Sequence, residues 1–101
     1  MENDLNKGQI IKKLSDNFAE MKGKYNVKRI GIFGSFARDE NDLKSDIDIL
    51  VEFENPIGFF LLIDLENYLY NLLGRKVDLV TKNSLKPVVK DRILSETIYA
   101  E

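Results

Sequence analysis

The sequence has no cysteine and no histidine among its 101 residues, and those two absences set the limits of its chemistry. Without thiol or imidazole there is no disulfide framework, no thiolate or imidazole zinc site, no haem ligation, no cysteine nucleophile and no histidine-dependent triad. Chemistry must come from carboxylates, Lys, Arg, Ser, Thr or Tyr, together with a hard cation that prefers oxygen. An excess of charge of one sign is also missing. The 15 basic and 17 acidic residues leave a net charge of −2, which points away from bulk coating of nucleic acid. Long hydrophobic runs are absent too. The apolar stretch at 56–63 is stopped by Asp64 and Glu66, far short of the roughly 20 residues that a membrane span needs. The first residues, Met1, Glu2, Asn3 and Asp4, are polar and acidic, unlike an export signal. A soluble, cytoplasmic protein with no membrane association is the expectation, and the lack of cysteine is compatible with it.

Hydrophobic residues make up 44% of the chain and charged residues 32%, enough to fold around a core rather than stay disordered. No repeat, linker or low-complexity tract interrupts it, so residues 1–101 are expected to form one domain. Ile10, Leu14, Phe18 and Met21 recur at helical spacing and predict a first helix over about 7–24. A β-branched run at 28–33 ends in Gly34-Ser35, a strand turning sharply into a helix whose first turn is 35–38. A polar loop follows at 39–45. Residues 46–54 alternate, with Ile47, Ile49, Val51 and Phe53 on one face and Asp46, Asp48, Leu50, Glu52 and Glu54 on the other, which is a strand. A third helix carries Phe59 to Leu73 and is capped by Gly74. A strand at 77–81 comes next, then a helix with Ser84 near its cap and Pro87 in its first turn, then a short strand at 97–100. The expected class is α/β (α+β): a small mixed β-sheet flanked by helices.

Asp46 and Asp48 lie two apart on a strand, so their carboxylates leave the same face about 6–7 Å apart at the Cα level. Alone, this pair is more often the solvated face of an amphipathic strand than a site. Gly34-Ser35 changes the balance. Backbone N–H groups at a strand-to-helix turn form an anion cradle, although a plain glycine turn with serine as N-cap is a common alternative. A phosphate cradle beside two carboxylates is what nucleoside triphosphate chemistry requires, and Mg²⁺ takes carboxylate and phosphate oxygens together. Other nucleotide motifs fail. There is no Walker-type loop, Gly31-Ile32-Phe33-Gly34 lacks dinucleotide-binding spacing, and Leu50 breaks any calcium-loop pattern starting at Asp46. The basic cluster Lys22, Lys24, Lys28 and Arg29 around Tyr25 reads as a solvated helix end rather than a nucleic-acid site.

Phe33-Gly34-Ser35, a ten-residue gap, and Asp46-Ile47-Asp48-Ile49 resemble the signature of polymerase-beta-type nucleotidyltransferases. The longer strings Gly34-Ser35-Phe36-Ala37-Arg38 and Ser45-Asp46-Ile47-Asp48-Ile49-Leu50-Val51 are similar to the minimal nucleotidyltransferase branch, and the likeness runs on to Asp91-Arg92-Ile93-Leu94. The resemblance implies that family's fold. It also implies a third carboxylate on a later strand, which Asp78 in Lys76-Val77-Asp78-Leu79-Val80 supplies. It further implies Mg²⁺-dependent transfer of a nucleoside monophosphate from a triphosphate, ATP, to a hydroxyl. Asp46, Asp48 and Asp78 would be catalytic and would hold two ions. Gly34 and Ser35 would bind the phosphates, with Arg38 and Ser45 as auxiliaries. Stand-alone chains of this kind resemble the antitoxin half of HEPN/nucleotidyltransferase toxin–antitoxin modules, so the implied partner is a HEPN-type ribonuclease toxin that accepts AMP on a tyrosine. The alternatives are transfer to a small-molecule or RNA hydroxyl, and neutralisation by contact without catalysis. The chain departs from the family at Asp39, where glycine is usual. Aspartate tolerates the left-handed backbone better than most residues, but a charge there is expected to weaken triphosphate binding unless it points outward.

Overall fold

The chain enters its first helix through a capping box. Asn6 accepts the Gln9 N–H through its side chain at 2.9 Å, while the Gln9 side chain accepts the Asn6 N–H at 3.0 Å. This satisfies donors of the first turn that have no partner within the helix. The computed structural model describes residues 5–100, so the polar start at 1–4, read above as unlike an export signal, lies outside the described residues. One helix over 7–24 is corrected to two: α1 (Lys7–Asp16) and α2 (Phe18–Tyr25). The break is at Asn17, whose amide donates to the Lys13 carbonyl at 2.8 Å while its backbone leaves helical geometry at φ −112°, ψ 11°. Short amide side chains compete in this way with the helix's own bonds. Ile10, Leu14 and Met21 all stay buried across the break. Asn26 closes α2 in the left-handed conformation at φ 62°, which asparagine adopts more readily than most residues.

The remaining elements are β1 (Val27–Phe33), α3 (Gly34–Ala37), β2 (Ile47–Phe53), α4 (Phe59–Leu73), β3 (Val77–Thr81), a 3-10 turn (Lys82–Ser84), α5 (Pro87–Glu96) and β4 (Ile98–Tyr99). The four strands form one mixed sheet in the order β3-β2-β1-β4. β1 is antiparallel to both neighbours, while β2 and β3 are parallel. Parallel neighbours need a crossover, and α4 provides it. Gly74 caps α4 as expected, at φ 68°, with its N–H on the Tyr70 carbonyl at 2.8 Å. The cap of α5 is corrected: Pro87 opens the helix behind Lys86, whereas Ser84 lies in the 3-10 turn and donates its hydroxyl to the Thr81 carbonyl at 2.8 Å.

One face of the sheet, carrying Ile30, Ile32, Ile47, Ile49, Val51 and Val77, packs against Ile10, Leu14, Met21, Leu65, Leu69 and Leu73 from α1, α2 and α4. Strand alternation then sends Asp48, Leu50 and Glu52 to the opposite face. Hydrophobic burial on one face therefore fixes where the carboxylates emerge. No helix among the described residues is long and apolar enough to cross a membrane.

β4 is short, and its fit depends on Gly31. A Cβ at that position would lie 2.5 Å from the Ile98 carbonyl oxygen and 2.9 Å from the Tyr99 Cα. Backbone cannot yield as a flexible side chain would, so Gly31→Ala is expected to destabilise the fold by about 1–3 kcal/mol. Urea unfolding measures this, and an unchanged midpoint would show that β4 shifts freely.

Candidate active site

Three adjacent strands bring the predicted residues together at one end of the sheet. Phe33, the last residue of β1, pairs with Asp48 on β2, and Asp48 pairs in register with Asp78 on β3. Neighbouring strands are about 4.8 Å apart, and in-register residues face the same side. Asp48 therefore sits between the Gly34 turn and Asp78. Asp46 stands just before β2, exposed, with its carboxylate 4.0 Å from the Lys76 ammonium. Asp78 is exposed as well.

Gly34 is required here twice over. Its φ is +74°, which side-chain-bearing residues rarely adopt, and a Cβ would overlap the Asp48 carboxylate. Ser35 is half-buried, and its hydroxyl has no hydrogen-bond partner among the described residues. The Gly34 N–H does not face open solvent. It donates to Glu96 Oε2 at 2.8 Å. Arg38 is likewise engaged, donating through Nε to Glu40 at 3.0 Å and through one terminal nitrogen to both oxygens of Glu96 at 3.2 Å. Ser45 uses its hydroxyl to close the 42–45 turn, bonding Asp42 Oδ1 at 3.2 Å and accepting the Asp42 N–H at 2.9 Å. Asp39 holds the left-handed conformation at φ 58°. Its carboxylate pairs with the Lys7 ammonium at 3.0 Å, which offsets its charge.

Burial pushes the Asp48 carboxyl up to about 6, helped by the neighbouring Asp78 and Asp46 charges and opposed by Arg38. A carboxyl whose pKa is raised on folding binds its proton more tightly in the folded state. Its favourable contribution is complete at low pH and declines as pH rises through the interval between the two values. The metal-free protein is therefore expected to lose stability between about pH 4 and about pH 6. Asp48→Asn should flatten that slope. Urea midpoints across this range test it, and identical pH profiles would show that Asp48 is not the group responsible.

Among the described residues, no three acidic side chains converge closely enough to hold an ion unaided. The donor set is nonetheless oxygen only, crowded with like charge, and set beside an anion-binding turn. An ion held by one or two carboxylates that completes its shell from phosphate and water is the usual Mg²⁺ arrangement. A cavity of about 450 Å³ lies elsewhere, among Lys28, Glu52, Lys82 and Lys90, and includes none of the three aspartates.

Several contacts at this end leave no mark in the sequence pattern. Besides Glu96, Arg75 ties down the loop before β2, donating to the Ser45 carbonyl at 2.7 Å and the Asp42 carbonyl at 2.8 Å. Its guanidinium also lies over the Phe36 ring, 5.3 Å from the centroid. Fixing that loop fixes Asp46.

A mixed four-stranded sheet, with a Gly-Ser turn ending one strand and aspartates in register on the next two, is the architecture of enzymes that transfer nucleotides. The chain belongs to the nucleotidyltransferase domain family, whose model matches residues 11–100. A Methanocaldococcus jannaschii protein provisionally named a protein adenylyltransferase is 56% identical over 80 residues, which cover 78% of this chain and 82% of that one. A solved structure provisionally described as a minimal nucleotidyltransferase superposes with a TM-score of 0.79 at 28% identity, covering 96% of this chain and 98% of its own. A chain in the complex of tri-AMPylated Shewanella oneidensis HEPN toxin with MNT antitoxin gives a TM-score of 0.59 at 26% identity, over 95% of this chain and 69% of that one.

Proposed function

We propose that this chain, as a single minimal nucleotidyltransferase domain over residues 1–101, transfers AMP from ATP to a tyrosine hydroxyl of a HEPN-type ribonuclease toxin and thereby acts as its antitoxin. The observation that carries this reading is the in-register pair Asp48 and Asp78 beside a Gly34 turn that closes directly on the Asp48 carboxylate. The related adenylyltransferase and the AMPylated toxin complex supply the acceptor class. The exposure of Asp46 and Asp78 suits an acceptor that arrives as part of another protein.

In this reaction the acceptor oxygen attacks the α-phosphorus, the bond to the bridging oxygen breaks, and pyrophosphate leaves. Gly34 and Ser35 bind the terminal phosphates, with Arg38 adding positive charge on the same side. Asp46 and Asp48 hold Mg²⁺, which when bound supplies charge neutralisation for the phosphates. Asp78 completes the metal site, faces the incoming hydroxyl and takes its proton as the new bond forms. Ser45 acts indirectly, by holding the turn that leads into Asp46.

Co-expression with a HEPN-type partner, followed by intact mass measurement of that partner, tests the proposal. Added adenylate units are expected with the wild type and not with Asp46→Asn/Asp48→Asn. A neutralised partner of unchanged mass would replace transfer with contact alone.

A further inference from the structure

Glu96, the last residue of α5, belongs to no motif, yet its carboxylate takes two donors of the phosphate-binding turn. It accepts the Gly34 N–H at 2.8 Å and meets the Arg38 guanidinium at 3.2 Å through both oxygens. Its side chain is only 21% exposed and its bond to the Gly34 N–H is partly buried, while the Arg38 side is open to solvent, with Arg38 47% exposed. A backbone N–H and a guanidinium converging on one carboxylate offer what a phosphate oxygen would find there. We infer that Glu96 is an internal competitor for the nucleotide's phosphates: it fills the Gly34–Arg38 anion subsite, and a triphosphate binds by displacing it. This rests on the nucleotide-transfer reading given above.

The exchange requires little else to move. Arg38 keeps its bond to Glu40 when Glu96 leaves, so the guanidinium stays beside the turn. The end of α5 is held by the Thr97 hydroxyl on the Ile93 carbonyl at 2.6 Å, and β4 by the Ala100 N–H on the Ile30 carbonyl at 2.8 Å. Rotation of one side chain therefore opens the subsite. Until then, the charge of Glu96 and its occupation of the Gly34 N–H both oppose a polyanion.

Calorimetric titration of the full chain with tripolyphosphate and with ATP, in buffer containing EDTA, tests the competition. Tripolyphosphate has no base or sugar and reports on the phosphate site alone. Glu96→Gln keeps the length and an acceptor oxygen but removes the charge. It should bind both ligands about tenfold more tightly, since a charge-assisted hydrogen bond no longer has to be given up. Glu96→Asp keeps the charge but withdraws it by one methylene. It should fall between Gln and wild type, and it carries the test if the glutamine variant does not fold. Affinity equal to or weaker than wild type in the folded variants would make Glu96 a strut that shapes the turn. If wild type still adenylylates its partner in that case, the competitor is overturned and the transferase reading stands. Absence of ATP binding by wild type and variants alike, with Mg²⁺ as well as without it, overturns both.

Discussion

Asp78→Asn is expected to lower nucleotidyl transfer by about 10²–10⁴-fold, the range for loss of a general base, while ATP binding and partner capture persist. The substitution is nearly isosteric and falls at an exposed position, so no packing is lost. Asp78 is also one source of the charge that pushes the Asp48 carboxyl up. Removing it relieves repulsion, and the metal-free fold should be equally stable or slightly more so. In the proposed reaction the phosphates bind at Gly34 and Ser35, at the end of β1 and two strands away from β3 in the sheet, so the nucleotide should still bind. The assay is transfer of labelled adenylate to the partner, run beside a pull-down of that partner. Undiminished transfer would remove Asp78 from the mechanism. Loss of transfer together with loss of partner capture would place it in the docking surface instead.

The family resemblance singled out Asp78, and strand alternation adds only the face from which it leaves. Once Val77 and Leu79 are assigned to the core, Asp78 must point the other way, and a parallel β2–β3 pairing places it level with Asp48. The same logic exposed Asp46 and Asp48, since Ile47 and Ile49 between and beyond them are fully buried. Periodicity could not reveal polar partners that meet across the fold. Glu96 and Gly34 are 62 residues apart in sequence, and nothing in the α5 pattern says where its last carboxylate will lie. Arg75 meets Ser45 across 30 residues and Lys7 meets Asp39 from another helix, each pairing one loop with a distant element. The break at Asn17 was hidden for the opposite reason. Its apolar stripe continues through the interruption, and only the local bond to Lys13 betrays it. Burial patterns therefore set the face from which the carboxylates leave, while the charges that hold the Gly34 turn needed three dimensions.

Gly34→Ala is expected to destabilise the protein by about 2–5 kcal/mol and to remove triphosphate binding. Two costs combine. A left-handed backbone costs a residue with a Cβ about 1–2 kcal/mol, and forcing extra volume into a packed site costs about 1–3 kcal/mol more. The second cost arises because the new methyl group would overlap the Asp48 carboxylate, which must turn aside while its Cβ, 3.2 Å away, stays fixed on a central strand. These contributions separate in a double-mutant cycle. In an Asp48→Ala background the overlap with the carboxylate disappears, leaving the backbone cost and a tight 3.2 Å approach to the Cβ of residue 48, so Gly34→Ala should be milder there by about 1–3 kcal/mol. Urea unfolding of the four proteins at one pH gives the coupling directly. Zero coupling would assign the whole loss to the positive φ and the Cβ approach, and the overlap with the Asp48 carboxylate would then cost nothing. Ligand binding gives the second readout. If the folded Gly34→Ala protein bound ATP as tightly as wild type, the turn would be structural only, because the proposed reaction has the phosphates approach the backbone at Gly34.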